Sequence, residues 1–245
     1  MTPQYPHRGL FIVGTDTDVG KTYVGSLIAR KLVRQGIKVG VYKPVASGCS
    51  RKQQELVADD AVHLWEAAGR PANLEQVCPQ RFAAPLAPHA AAAKEGKVVD
   101  DTLLREGLEN WANQCEFVIV EGAGGLLSPI SAKLNVADLA IEFQYPLVIV
   151  ARNRLGVVNQ TQQTILAAQH YGSGLSIAGV VLNDRHSDPD DLSLETNWGD
   201  LRDRCQVPML DHIRHGSTGL NPDVDWEEFA KPTGRKHSNS SKRSL

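Results

Sequence analysis

Residues 14–22 read Gly14-Thr15-Asp16-Thr17-Asp18-Val19-Gly20-Lys21-Thr22, directly after an apolar run at 10–13 and before a helical pattern. A loop so placed turns successive backbone N–H groups into one concavity, and the helix N-terminus adds about half a positive charge. Phosphate is the group that fits there. The Lys21 ammonium can neutralise its outer oxygens, and the Thr22 hydroxyl can ligate Mg2+. In the strict Gly-x-x-x-x-Gly-Lys-Ser/Thr form the first glycine falls at Thr15, so with Gly14 one residue earlier the loop is a variant. A second cation follows the next apolar run, in Tyr42-Lys43-Pro44-Val45-Ala46-Ser47-Gly48. Groups just past the carboxyl ends of strands in an open α/β sheet face the ligand crevice, which sets Lys43 beside the loop; the other reading is a solvated lysine before a proline turn. Two converging lysines suit phosphoryl transfer, which proceeds by positioning and charge neutralisation. A third segment, Val120-Glu121-Gly122-Ala123-Gly124-Gly125, puts an acid at a strand end before glycines. Asp60 is either a further acid for a metal or a helix N-terminal residue favoured by the dipole. Mg2+ takes few protein oxygens and keeps several waters, so Thr22, Asp60 and Glu121 suffice for it.

These residues need a scaffold of strand ends, and the sequence supplies one. Apolar runs recur at 10–13, 39–42, 117–120, 147–150, 177–182 and 207–210. They are short, rich in β-branched residues and non-alternating, as strands buried on both faces are. Helical spacing lies between the first two, ended by Gly36, and again at 100–114, 157–171 and, less clearly, 190–205. The stretch 83–93, rich in Ala and Pro, reads as a loop running into a short helix. Alternating strands and helices predict an α/β fold: a single phosphate-loop NTPase domain with a mostly parallel, doubly wound sheet. The domain is expected over residues 1–230. Residues 231–245 are polar, basic and Ser-rich, a composition that predicts a disordered tail.

Charge and composition narrow the function classes. The net charge is −2, and the five basic residues of 231–245 have no acid among them, so the body is more acidic than the total shows. An acidic body argues against a nucleic-acid binder. No apolar run approaches the roughly 18 residues of a membrane helix, and the start lacks the apolar core of a signal peptide. Cys49, Cys78, Cys115 and Cys205 are widely spaced without a C-x-x-C pair, which predicts neither a zinc site nor a disulfide framework. A cytoplasmic protein is expected.

The three chemical segments, in this order and spacing, resemble the dethiobiotin synthetase family. The resemblance rests on residues 14–22, on 42–48, on Asp60-Ala61 seventeen residues past Lys43, and on 120–125. It runs on through Pro88-His89, Leu155-Gly156 with Asn159, Asn183-Asp184 and Val207-Pro208-Met209-Leu210, covering most of 8–215. The phosphate loop alone is shared by many NTPases; the lysine-serine and glutamate-glycine segments together are specific. The sequence departs from the family's usual residues at Asp18, Ala87 and Cys205.

The resemblance implies roles. Lys21 and Lys43 would hold phosphates and the transferring group, and Ser47 would contact the substrate. Thr22, Asp60 and Glu121 would serve Mg2+. Asp18, Val19, Gly20, Lys21, Thr22 and Tyr23 would line the nucleotide site with Glu121, Gly122, Ala123 and Gly124, then Asn183 and Asp184, then Pro208, Met209 and Leu210. Asn183 could pair with the N6/N7 edge of adenine, or else cap a turn. The implied reaction is a cyclo-ligation in which 7,8-diaminononanoate, CO2 and ATP give a cyclic urea, ADP and phosphate, without a covalent nucleophile on the protein. The implied assembly is a homodimer, with no nucleic-acid or membrane partner. Other readings share the loop. Partitioning or division-site ATPases carry an extra lysine five positions before the loop lysine, where this chain has Asp16. Amide ligases of the cobyrinic acid a,c-diamide synthase type add a glutaminase domain for which 245 residues leave no room. An unrelated small-molecule kinase is the remaining one.

Overall fold

Six runs of apolar residues line up as neighbours in one sheet. The computed structural model describes residues 5–53, 55–186 and 190–230. In chain order the elements are β1 (Gly9–Gly14), α1 (Lys21–Arg34), β2 (Val39–Tyr42), β3 (Val45–Ala46), β4 (Ser50–Lys52), β5 (Glu55–Val57), α2 (Asp59–Ala67), α3 (Leu74–Val77), β6 (Gln80–Arg81), α4 (Pro88–Lys94) and α5 (Asp101–Glu109). They continue as β7 (Phe117–Gly125), α6 (Val136–Phe143), β8 (Leu147–Arg152), α7 (Val157–His170), β9 (Ile177–Asn183), α8 (Ser193–Arg204), β10 (Met209–Ile213) and α9 (Trp226–Phe229). The main sheet runs β10-β9-β8-β1-β7-β2, with every pairing parallel. Each residue of β1 and β2 is buried, as a sheet covered on both faces requires. This is the doubly wound α/β architecture expected from the sequence.

Parallel order sends every main strand's carboxyl end to the same side, where the loops after β1, β2, β7, β9 and β10 gather. Close packing behind that edge depends on small residues. A Cβ at Gly25 would already stand 3.1 Å from Leu64 of α2, so α1 lies hard against its neighbours. Two small sheets were not foreseen: β3 pairs with β6, and β4 with β5 in an antiparallel hairpin.

Three expected boundaries move. The last strand begins at Met209 and runs to Ile213, not over 207–210. Pro208 has no N–H for the ladder, and Asp211 and His212, which lie past the apolar run, are tolerated because Asp211 accepts from the Asn221 N–H and His212 meets Asp184. The helix expected over 100–114 is α5, which stops at Glu109; Trp111 and Ala112 then bond three residues back, to Leu108 and Glu109, in tight turns. Strand β7 runs on through Glu121 to Gly125, so Glu121 lies inside the strand instead of after it. The four cysteines are free thiols, and burial pushes that of Cys78 up to about 12. The expected tail at 231–245 lies outside the described residues.

Candidate functional site

The loop between β1 and α1 is wound tightly enough to dictate its residues. A Cβ on Gly14 would overlap the Asp16 carbonyl and crowd Val19, which explains a glycine one position early. Asp18 has φ 62 and Gly20 has φ 96, left-handed values that turn the chain inward; Asp accepts that conformation more readily than most residues. The Arg185 side chain meets both the carbonyl and the carboxylate of Asp18 and ties the loop to the end of β9. Gly20 is the N-cap of α1 and offers no capping side chain, so the first N–H groups of that helix remain for a ligand.

Charges converge beneath the loop. Lys43, 3% exposed, follows β2 and pairs with Glu121 of β7 and, at 3.0 Å, with Asp60 of α2. Thr22 donates its hydroxyl to Glu121 Oε1 at 2.9 Å. Burial works against the Lys43 charge, but the two carboxylates outweigh it and hold its pKa above the ordinary lysine value. The same Lys43 holds the Asp60 carboxyl below the usual range. Glu121 has no exposed surface, and that desolvation raises its pKa against the pull of Lys43. Lys21 is lowered by its burial, partly offset by Glu121. Its ammonium thus gains most from a ligand that brings negative charge. Asp60 also sits in the first turn of α2, as its reading as a helix N-terminal residue expects.

One cavity of about 860 Å³ opens over these groups. Of the residues predicted from sequence, Asp18, Gly20, Lys21, Thr22, Tyr23, Lys43, Ser47, Asp60, Glu121, Ala123, Gly124, Asn183 and Asp184 line it. Five do not. Val19 is buried, its carbonyl accepting from the Asn183 amide at 3.0 Å, so Asn183 buttresses the loop. Gly122 lies on the opposite pleat of β7, where a Cβ would collide with Val136. Pro208, Met209 and Leu210 stand at the amino end of β10, because that strand starts later than predicted. The carboxyl end of β10 supplies Arg214, His215 and Gly216 in their place. Applied to the true end of β10, the strand-end rule finds these three, and Arg185 follows at once from Asn183-Asp184. Tyr23 is joined to the same segment by its hydroxyl, which donates to the Ser217 carbonyl. Of the family departures, Asp18 lines the cavity, while Ala87 caps α4 and Cys205 caps α8 away from it.

The donor set fits a hard divalent cation held jointly with a ligand. Glu121 Oε2 is buried with no hydrogen-bond partner among the described residues, and two carboxylates with a hydroxyl are oxygen donors of the kind Mg2+ takes. Among the described residues no group of three or more His, Cys, Asp and Glu side chains could hold a metal by itself. The ligand's own oxygens and water would have to complete the shell.

A family model described as an AAA domain matches residues 8–216. Among curated proteins the chain is 43% identical over 244 residues to the ATP-dependent dethiobiotin synthetase BioD of Rhodopirellula baltica, covering 95% of this chain and 92% of that one. It is 38% identical over 206 residues to the protein of the same name from Bacillus subtilis strain 168, covering 83% and 85%. Among solved structures, the septum site-determining protein MinD of Pyrococcus horikoshii complexed with Mg-ADP superposes with TM-score 0.53 at 18% identity, over 84% of this chain and 81% of that one. The signal recognition particle receptor FtsY of Elizabethkingia anophelis gives 0.52 at 16%, over 93% and 66%. At those identities the likeness shows a shared fold with this chain and carries nothing further.

Proposed function

The chain belongs to the ATP-dependent dethiobiotin synthetase family, and from that premise we propose that it closes 7,8-diaminononanoate and CO2 into dethiobiotin at the expense of ATP. One amine adds to CO2, forming an N–C bond and losing a proton to give a carbamate. A carbamate oxygen then attacks the γ-phosphorus and ADP leaves, giving a carbamic–phosphoric anhydride. The second amine attacks the carbonyl carbon, closes the ring and expels phosphate. Every species is an anion or becomes one, so fixed positive charge is what the protein must supply.

The observation that carries this reading is the placement of Lys43. It is buried and lines the same cavity as Lys21 of the phosphate loop and Ser47. Lys21 and the first N–H groups of α1 would bind the triphosphate. Lys43 would meet the carbamate and the migrating phosphoryl group, and Ser47 would contact the diamine. Thr22, Asp60 and Glu121 would hold Mg2+, which when bound neutralises charge on the phosphate oxygens. Asn183 and Asp184 would stand at the base end, with Arg214, His215 and Gly216 in the place first assigned to Pro208, Met209 and Leu210. We further infer a homodimer acting in the cytoplasm, with residues 1–230 as one domain.

The test is a product assay with the purified chain, 7,8-diaminononanoate, bicarbonate, ATP and Mg2+. Dethiobiotin, identified by mass, and phosphate release that needs both the diamine and bicarbonate are expected. Phosphate release indifferent to the diamine would overturn the reading in favour of a regulatory ATPase.

A further inference from the structure

Behind the base end of the cavity lies a buried polar network that the ring-closure chemistry does not use. Asn153, just past β8, donates through Nδ2 to Asp184 Oδ1 at 2.8 Å and to the Leu194 carbonyl at 3.1 Å. Its own Oδ1 accepts from Asn197 Nδ2 of α8 at 2.8 Å. His212 of β10 brings Nε2 to 2.7 Å from the same Asp184 Oδ1, and its ring stacks on Trp198 with centroids 5.4 Å apart and planes 17° from parallel. A carboxylate only accepts, so the imidazole points a protonated Nε2 at it. Asn153 and Asn197 are almost wholly buried, and every contact named here is satisfied, the condition under which a polar network rigidifies its surroundings.

The network fixes one thing that faces the cavity. Asp184 Oδ1 is occupied by Asn153 and His212, and Oδ2 alone remains, 3.5 Å from Arg214 Nη1 at the cavity rim. We propose that Asn153 and His212 are positioning residues that set nucleotide-base selectivity by leaving Asp184 a single acceptor oxygen, Oδ2, which Arg214 also approaches, at the base end. A single acceptor suits one exocyclic amine, such as adenine N6. The guanine N1–H and N2 amine need both oxygens of a carboxylate, and one of those is spent. This rests on the reading above that a nucleotide lies in the cavity with its phosphates on the loop.

Isothermal calorimetry with ATP and GTP, in Mg2+ without the diamine, tests it on the full chain. His212→Phe keeps an aromatic ring on Trp198 and removes the donor. ATP affinity should fall about tenfold, the scale of one hydrogen bond to a charged group, while GTP gains on ATP as Oδ1 loses one of its two donors. Turnover at saturating ATP should stay within about twofold. His212→Gln returns a donor and should restore the ATP preference. A folded His212→Phe with unchanged ATP affinity and unchanged ATP-to-GTP ratio would overturn the proposal, as would lost turnover at unchanged affinity. If that variant does not fold, Asn153→Ser is read the same way. The readout is nucleotide affinity, so it is decided whether or not dethiobiotin forms.

Discussion

Lys43 is enclosed by the charges that define it, and removing it has two separable consequences. Its ammonium lies between a Glu121 with no exposed surface and an Asp60 whose side chain is half exposed. Deleting one partner of a buried pair strands the other, at about 3–5 kcal/mol. Lys43→Met should therefore lower the unfolding free energy by about that amount in a denaturant titration. It should also cut turnover by on the order of 10²-fold or more, the loss of one preorganised charge. Adding Glu121→Gln removes the stranded carboxylate, so the double variant should recover most of the stability and none of the turnover. A double variant no more stable than the single one would mean that the pair is not the source of the loss. Part of this was legible in the sequence. Lys43 follows an apolar run, and a residue in that position faces the crevice. Its two partners were not legible as partners, because their meeting depends on α2 approaching β7 and on β7 continuing through Glu121.

At the scale of elements, the two glycines bracketing α1 carry different burdens. Gly20 and Gly36 both have positive φ, 96 and 86. A Cβ on Gly20 would overlap Asn183 Nδ2, whereas one on Gly36 meets nothing within 4 Å. Gly36→Ala should thus cost only the left-handed strain, about 1–2 kcal/mol, and leave nucleotide affinity alone. Gly20→Ala adds the displacement of Asn183 from the Val19 carbonyl, so calorimetry should show ATP affinity weakened by about tenfold or more, on the scale of a buried hydrogen bond and its strain. Equal ATP affinities in the two variants would deny the buttressing role of Asn183. The sequence announces Gly20 through its neighbours Lys21 and Thr22, and Gly36 as a helix stop. It hides β10. Asp211 and His212 lie past the apolar run, and only their partners Asn221 and Asp184 show why the strand continues through them, so that 214–216 and not 208–210 line the cavity. Length alone conceals β3 and β6, two-residue strands too short to carry a pattern.

Across the whole molecule, the segment after β10 works as a strap that closes the domain over α1. It leaves the cavity at Gly216, and Tyr23 of α1 donates to Ser217. Lys31 Nζ then donates to the carbonyls of Asn221, Pro222 and Val224 at 3.1, 3.1 and 2.9 Å. Further on, Trp226 is 1% exposed, Glu227 pairs with Arg8, and the Ala230 carbonyl accepts from the Gly9 N–H at 3.4 Å. The strap thus joins the cavity rim, the outer side of α1 and the first residue of β1. Residues 231–245 lack aromatic residues and carry charge of one sign, so we propose that folding and chemistry do not need them. A chain ending at 230 should keep its melting temperature and its turnover. A chain ending at 219 keeps the cavity residues but loses the Lys31 carbonyls and the Trp226 ring, whose burial alone is worth about 3–5 kcal/mol. It should melt well below the full chain, and its ATP affinity should fall as 214–217 loosens. Trp226→Ala in the full chain separates the two effects, since it should lower stability with a smaller loss of affinity. If the chain ending at 230 melted early as well, the folded unit would have to extend into 231–245.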